Sequence, residues 1–189
     1  MTTYHWLSDQ IFTVDDLYSA DECDELIAYA ETQGFEEAPV TTINGPVRMS
    51  QIRNNDRCMV DDPERAQELF RRADEFLTRR FRGWNVCGVN ERLRFYRYYP
   101  GQRFDWHRDG SFRRNTHEVS FFTYMVYLND DYEGGRTLFT YQRIEPKKGS
   151  ALFFQHDLLY KGDTITHGTK YVLRTDVMYR DPTATLESV

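Results

Sequence analysis

The sequence predicts an α+β protein, mainly β, with helices first and a sandwich or jelly roll after them. Two capped helical segments fall in the first half, and near Arg92 the pattern changes to short aromatic and β-branched runs separated by turn residues. No repeat, low-complexity tract or Pro/Gly/Ser linker interrupts the 189 residues. One domain is therefore expected over 1–189, with a helical lead-in over about 1–90 and a β core over about 91–181.

The elements follow in order. Ser19-Ala-Asp-Glu22 reads as a capping box, with Cys23, Leu26, Ile27 and Ala30 at helical spacing behind it and Gly34 as the stop. Asp62-Pro63 supplies an N-cap and a proline at the first helical position, and Ala66, Leu69, Phe70, Ala73 and Leu77 continue one apolar face. Beyond them RLRFYRYY, EVSFFTYMVYLN, RTLFTYQRI, GSALFFQ, DTIT and KYVLRTDVMYR read as strands. Glu133-Gly-Gly135 is expected to be a hairpin turn, because glycine accepts the positive φ such turns require.

Composition excludes some functions. A formal charge of −6 argues against general attraction to phosphate backbones, so nucleic acid is not an expected partner. The start MTTYHWLSDQIFTV lacks the basic-then-apolar order of a signal peptide, and no apolar run approaches the ~20 residues that span a bilayer, so no membrane partner is expected. Three cysteines without CxxC spacing suit reduced thiols, and the expected compartment is the cytoplasm.

Chemistry concentrates in YPGQRFDWHRDG. On a strand, His107 and Asp109 would point to one face, where an imidazole and a carboxylate converge on a metal ion. A solvated His and Asp on a loop is the plainer alternative for so short a motif. Two histidines and one carboxylate with open positions are what non-haem ferrous oxygenases use, so a second histidine should arrive from a later strand. Lys170 and Arg174, four apart on KYVLRTDVMYR, share a face and could pair with a carboxylate brought into the interior.

The ordered strings LRFYRYYPGQRFDWHRDG, YLND…EGGRT, EPKKGSALFFQHDLL and GTKYVLRTDVMYR resemble the prolyl-4-hydroxylase-like branch of the Fe(II)/2-oxoglutarate-dependent dioxygenases over residues 92–180. The resemblance implies a double-stranded β-helix, a jelly roll with iron in its mouth and the N-terminal helices packed on one sheet. It also implies Fe(II), 2-oxoglutarate as cosubstrate, O2 and, as an optional reductant, ascorbate. The implied activity is hydroxylation of a C–H bond of a protein side chain or small molecule, with 2-oxoglutarate leaving as succinate.

Residue by residue, the resemblance assigns His107 and Asp109 to iron and Lys170 to the far carboxylate of 2-oxoglutarate, with Arg174 as the other candidate. Tyr98 and Tyr127 match aromatic hydroxyls that help to hold the cosubstrate. Arg57, in RNNDR, matches a segment near the mouth and could read a substrate carboxylate. One departure stands out. Relatives read F-x-H-x-L-x-H-E-G near Phe154, and the second of those histidines is the distal iron ligand. Here Tyr160 stands in that slot, ten positions before Lys170, and His156 stands four earlier. His156 as third ligand, Tyr160 as a phenolate ligand, and no third ligand remain open. His5, His117 and His167 are assigned to no metal. Two other classes stay in view: a jelly-roll binding protein without catalysis, and a cupin-like metal enzyme of different chemistry.

Overall fold

The computed structural model describes residues 1–42, 45–47, 49 and 51–183. In chain order the elements that matter are β1 (Thr3–Ser8), β2 (Ile11–Asp15), α1 (Ala20–Gln33), β3 (Asp56–Asp61), α2 (Pro63–Ala73), β4 (Trp84–Val89), β5 (Arg92–Tyr98), β6 (Phe104–His107), β7 (Glu118–Tyr127), β8 (Thr137–Phe139), β9 (Ala151–Gln155), β10 (Tyr160–Gly162) and β11 (Lys170–Arg180).

The two helices begin where their caps place them. The Ser19 hydroxyl accepts from the Glu22 amide at 3.2 Å while the Glu22 carboxylate accepts from the Ser19 amide at 2.8 Å, so two otherwise orphaned donors at the helix start are satisfied. The Asp62 carboxylate accepts from the Arg65 amide ahead of α2. The apolar face of α2 outlasts the α-helix: Ala73 ends it, and a 3₁₀ turn over Asp74–Phe76 carries the chain on to Leu77.

The large sheet is antiparallel throughout, in the order β1-β2-β9-β7-β11-β5-β3 with Glu36–Glu37 at its far edge. A smaller sheet, β6-β10-β8 followed by Arg143–Ile144, faces it. The period of two in each central strand sorts side chains to opposite faces. Phe95, Tyr124, Phe153, Leu173 and Val177 pack toward Cys23, Ala30, Ala66, Leu69 and Ala73 of the helices. Tyr96, Tyr98, Met125, Tyr127, Phe154 and Val172 pack toward Phe139, Tyr160 and Ile165 on the opposite side. The result is helices on one face of a sheet and a jelly-roll interior on the other, the α+β, mainly β arrangement the sequence predicts.

Three expectations are corrected. The lead-in is not only helical: β1, β2, β3 and β4 come from it, and β2 pairs with β9 while β3 pairs with β5. These strands extend a sheet laid down by residues far away in sequence, a long-range pairing that periodicity does not announce. Glu133-Gly134 is not a hairpin turn but a two-residue strand paired with Ile165–His167. Glycine is required there for contact as well as conformation: φ is +80° at Gly134, and a Cβ would lie 2.3 Å from the Thr164 carbonyl oxygen. RTLFTYQRI is likewise two short strands, Thr137–Phe139 and Arg143–Ile144, rather than one. The cysteines are free thiols, and no helix among the described residues is long and apolar enough to cross a membrane.

Phe153 anchors the helix-side core across three neighbouring strands, stacked at 4.7 Å on Phe12 and at 4.4 Å on Tyr124 with none of its surface exposed. Phe153→Ala is expected to lower unfolding free energy by about 3–5 kcal/mol, read by denaturant titration with circular dichroism. A loss under about 1 kcal/mol would contradict this packing.

Candidate functional site

Strand β6 ends at His107, and Asp109 lies just past it in an irregular stretch, so the two do not both lie on one strand as the sequence suggests. They converge all the same, with His107 Nε2 3.9 Å from Asp109 Oδ1. His107 Nδ1 meets the Asp105 carbonyl oxygen at 2.7 Å. A carbonyl only accepts, so this bond assigns the ring hydrogen to Nδ1 and leaves Nε2 with a lone pair. That nitrogen is buried and has no hydrogen-bond partner. Phe104 stacks flat on the imidazole with centroids 3.4 Å apart. Burial pushes the His107 pKa down to about 4, against the opposing pull of the Asp109 charge. The ring is therefore neutral near pH 7, and the contact with Asp109 is not an ion pair but a nitrogen lone pair facing a carboxylate.

Asp109 is held from three sides. The Thr123 hydroxyl donates at 2.6 Å, the Tyr160 phenol lies 3.2 Å from both carboxylate oxygens, and Arg174 Nη1 lies 3.1 Å from Oδ1. Arg174 also reaches Asp176 Oδ1 at 3.2 Å, while Arg94 takes the other Asp176 oxygen at 3.0 Å. Burial pushes Asp176 up, but these two guanidiniums outweigh it and hold the carboxyl below its ordinary value. Arg174 is thus a counterion shared between two buried acids.

His156 lies on the far side of this group. It follows β9 in a turn, its Nε2 meets Ser120 Oγ at 2.8 Å and its Nδ1 meets Thr123 Oγ1 at 3.1 Å. The structure therefore links His156 to Asp109 through the Thr123 hydroxyl and does not bring it beside His107. Tyr160 is brought there: it is the cross-strand partner of His107, and the two rings lie 4.3 Å apart. Burial raises the Tyr160 phenol well above its ordinary range.

A narrow cavity of about 20 Å³ lies between His107, Tyr160 and Lys170, lined also by Tyr96, Tyr98, Met125 and Val172. Lys170 is fully enclosed, with its ammonium donating to the Gly135 carbonyl and lying 5.9 and 5.2 Å from the Tyr98 and Tyr127 ring centres. Burial pushes its pKa down to about 7. The two candidate cations are thereby separated: Lys170 lines the cavity wall, and Arg174 is engaged by Asp109. The Tyr127 hydroxyl is taken by Thr137 at 2.7 Å, so Tyr127 offers Lys170 its ring rather than a free phenol. Arg57 pairs loosely with Glu36 at 3.6 Å; its neighbour Arg53 lies against the site, sandwiched over Tyr96 at 4.7 Å and Phe104 at 4.4 Å. His5 pairs with Asp15, His167 pairs with Glu133, and His117 is exposed.

Sequence reasoning missed Thr123, Phe104 and Arg53. Thr123 shares a face of β7 with Met125 and Tyr127, so strand alternation was a usable signal; Arg53 opens the RNNDR segment whose resemblance pointed to the mouth, but the role was given to Arg57. Among the described residues no three His, Cys, Asp or Glu side chains are grouped to hold a metal. The orphaned Nε2 and the nearby carboxylate are donor types that suit a divalent cation, at a carboxylate whose charge Arg174 already compensates.

The comparisons agree with this geometry. Residues 93–177 match the model of the 2OG-Fe(II) oxygenase superfamily. Among solved structures, the viral collagen prolyl hydroxylase of Paramecium Bursaria Chlorella virus-1, in its 2OG complex, matches with a TM-score of 0.66 and 22% identity over 92% of this chain and 97% of that one. A Pseudomonas putida prolyl-4-hydroxylase matches at 0.62 and 18% over 90% and 92%. A Trichoplax adhaerens prolyl hydroxylase, in complex with a hypoxia inducible factor peptide fragment, matches at 0.69 and 14% over 92% and 84%. No curated protein sequence matches. The matched segment, 85 of the 189 residues, is similar to the 2OG-Fe(II) oxygenase superfamily and spans the strands that carry His107, Asp109, Tyr160 and Lys170. The likeness to these prolyl hydroxylases, at 14–22% identity, is one of fold.

Lys170 gives the site a pH signature. A carboxylate beside it favours the ammonium, so its pKa rises on binding and a proton is taken up above pH 7. Dicarboxylate affinity should then fall by up to about tenfold per pH unit above 7. Calorimetry of 2-oxoglutarate binding with Mn(II), in buffers of different ionisation enthalpy, should show uptake approaching one proton at pH 8 in the wild type and none in Lys170→Met. Equal uptake in both would contradict the assignment.

Proposed function

We propose that the chain is an Fe(II)- and 2-oxoglutarate-dependent hydroxylase of C–H bonds. The observation that carries this reading is the buried, unpartnered Nε2 of His107 facing Asp109 in the same cavity as the buried Lys170. His107 and Asp109 would hold the metal, and Lys170, with Tyr98 beside it, would hold the distal carboxylate of the keto acid. When bound, iron supplies the oxidising chemistry, in which 2-oxoglutarate and O2 yield succinate and CO2 while one oxygen atom enters the substrate C–H bond.

The protein's own share is orientation and exclusion of water. The Asp105 carbonyl fixes the His107 tautomer, and Phe104 fixes the ring plane. Thr123 orients the Asp109 carboxylate. Tyr96, Phe104, Met125 and Val172 line the cavity with apolar surface, so a dianion that enters finds the Lys170 charge in a poorly solvated setting where the pairing is strong.

The substrate is proposed to be a segment of protein chain. An open groove of about 730 Å³ lies beside β6, lined by half-exposed Trp106, Leu138, Phe139, fully exposed Tyr141, Arg143 and Leu159. Its size suits an extended peptide better than a small metabolite, and the Trichoplax relative is described with a peptide bound. A non-catalytic binding protein is the competing reading, favoured by the three groups already engaging Asp109.

Succinate formation from 2-oxoglutarate under O2 separates the two. It should require added Fe(II), vanish in Asp109→Ala, and show a raised KM for 2-oxoglutarate in Lys170→Met. Thr123→Val should weaken metal affinity by about 10–100-fold by freeing the carboxylate. Succinate at wild-type levels from Asp109→Ala would sink the reading, and 2-oxoglutarate binding without any succinate would favour the binding protein.

A further inference from the structure

We infer that Tyr160 Oη is the third protein donor of the metal site, giving an imidazole–carboxylate–phenolate set; the inference rests on the reading that His107 and Asp109 hold the metal. Four observations carry it. Tyr160 is the residue directly across the antiparallel pair from His107, so backbone pairing delivers its ring to the same place. Its oxygen lies 3.2 Å from each oxygen of Asp109, which puts it at the open end of the carboxylate rather than at one edge. The ring cannot readily turn away, being packed at 4.6 Å edge-on to Phe154 and at 5.7 Å against Phe139, with only 4% of the residue exposed. Finally, His107 Nε2 is buried without a partner, and the His107 and Tyr160 rings pack with centroids 4.3 Å apart.

The competing donor is otherwise occupied. Both nitrogens of His156 are taken by hydroxyls, and reaching the metal would break two buried hydrogen bonds and leave their partners unsatisfied. Tyr160 exchanges one phenolic proton, which leaves to solvent, and with it the hydrogen bond to Asp109, for the metal, while its ring stays where it is packed. A phenolate is a harder and more negative donor than an imidazole, so this set favours the ferric state and lowers the tendency of the metal to stay ferrous. It also gives the loaded protein a property that neither a histidine in the same place nor a two-donor site would give: a phenolate-to-ferric charge-transfer colour.

The test is spectroscopic and independent of turnover. Wild-type protein is loaded anaerobically with Fe(II), bound metal is counted, and air is admitted to oxidise it. A broad visible band with phenolate vibrations in resonance Raman is expected. It should be absent from Tyr160→Phe, which keeps the packed ring, and from Tyr160→His, while Tyr98→Phe retains it. Circular dichroism checks that each variant is folded. Wild-type protein that binds one iron and stays colourless, or a band that survives in Tyr160→Phe, overturns the inference while leaving the His107–Asp109 reading intact. Wild-type protein that binds no iron at all overturns both.

Discussion

The site depends on one hydrogen bond, from His107 Nδ1 to the Asp105 carbonyl. By fixing the tautomer it commits Nε2 to being an acceptor, and burial then keeps that acceptor from water. A neutral imidazole facing a carboxylate in such a place is stable only beside positive charge. Arg174 provides part of it, at 3.1 Å from Asp109. Lys170, in the same cavity, is a second cation whose charge burial disfavours. The interior thus holds electron-pair donors at one end and an under-solvated ammonium at the other, an arrangement complementary to a cation chelated by a dianion.

The fold makes this possible by giving the large sheet two unlike faces. Along β11, Leu173 and Val177 enter the helix-side core, while Lys170, Val172, Arg174 and Asp176 alternate with them and look into the jelly roll. Along β7 the same alternation sets Tyr124 against the helices and Thr123, Met125 and Tyr127 inside. Buried charge on the interior face is tolerated because it is organised: Asp176 takes Arg94, Arg174 and Asn90, and Asp109 takes Arg174, Thr123 and Tyr160. Removing one member of such a network leaves another charge uncompensated, so its members act together rather than singly.

Much of this was legible in the sequence wherever the signal is local. Ser19 and Asp62 announce helix starts because a cap is a contact across three residues. The strands of the β core are legible by alternation, as is the shared face of Lys170 and Arg174. What could not be read depends on pairing between distant segments. The addition of β2 to β9, the use of Gly134 in a two-residue strand, and the register that sets Tyr160 across from His107 are all of this kind. His156 shows the limit of spacing arguments: it lies close in sequence to Tyr160, yet Ser120 and Thr123 on β7 decide where it points. Arg53 and Arg57 show the same limit, since only the folded chain reveals which guanidinium stacks on Phe104.

The most direct test of the account is a crystal structure grown with Mn(II) under conditions that leave 2-oxoglutarate present. The account predicts anomalous density bonded to His107 Nε2 and an oxygen of Asp109, with the keto acid extending from the metal to Lys170. Density elsewhere, or an empty cavity in which Nε2 still faces the carboxylate with nothing between them, would contradict it.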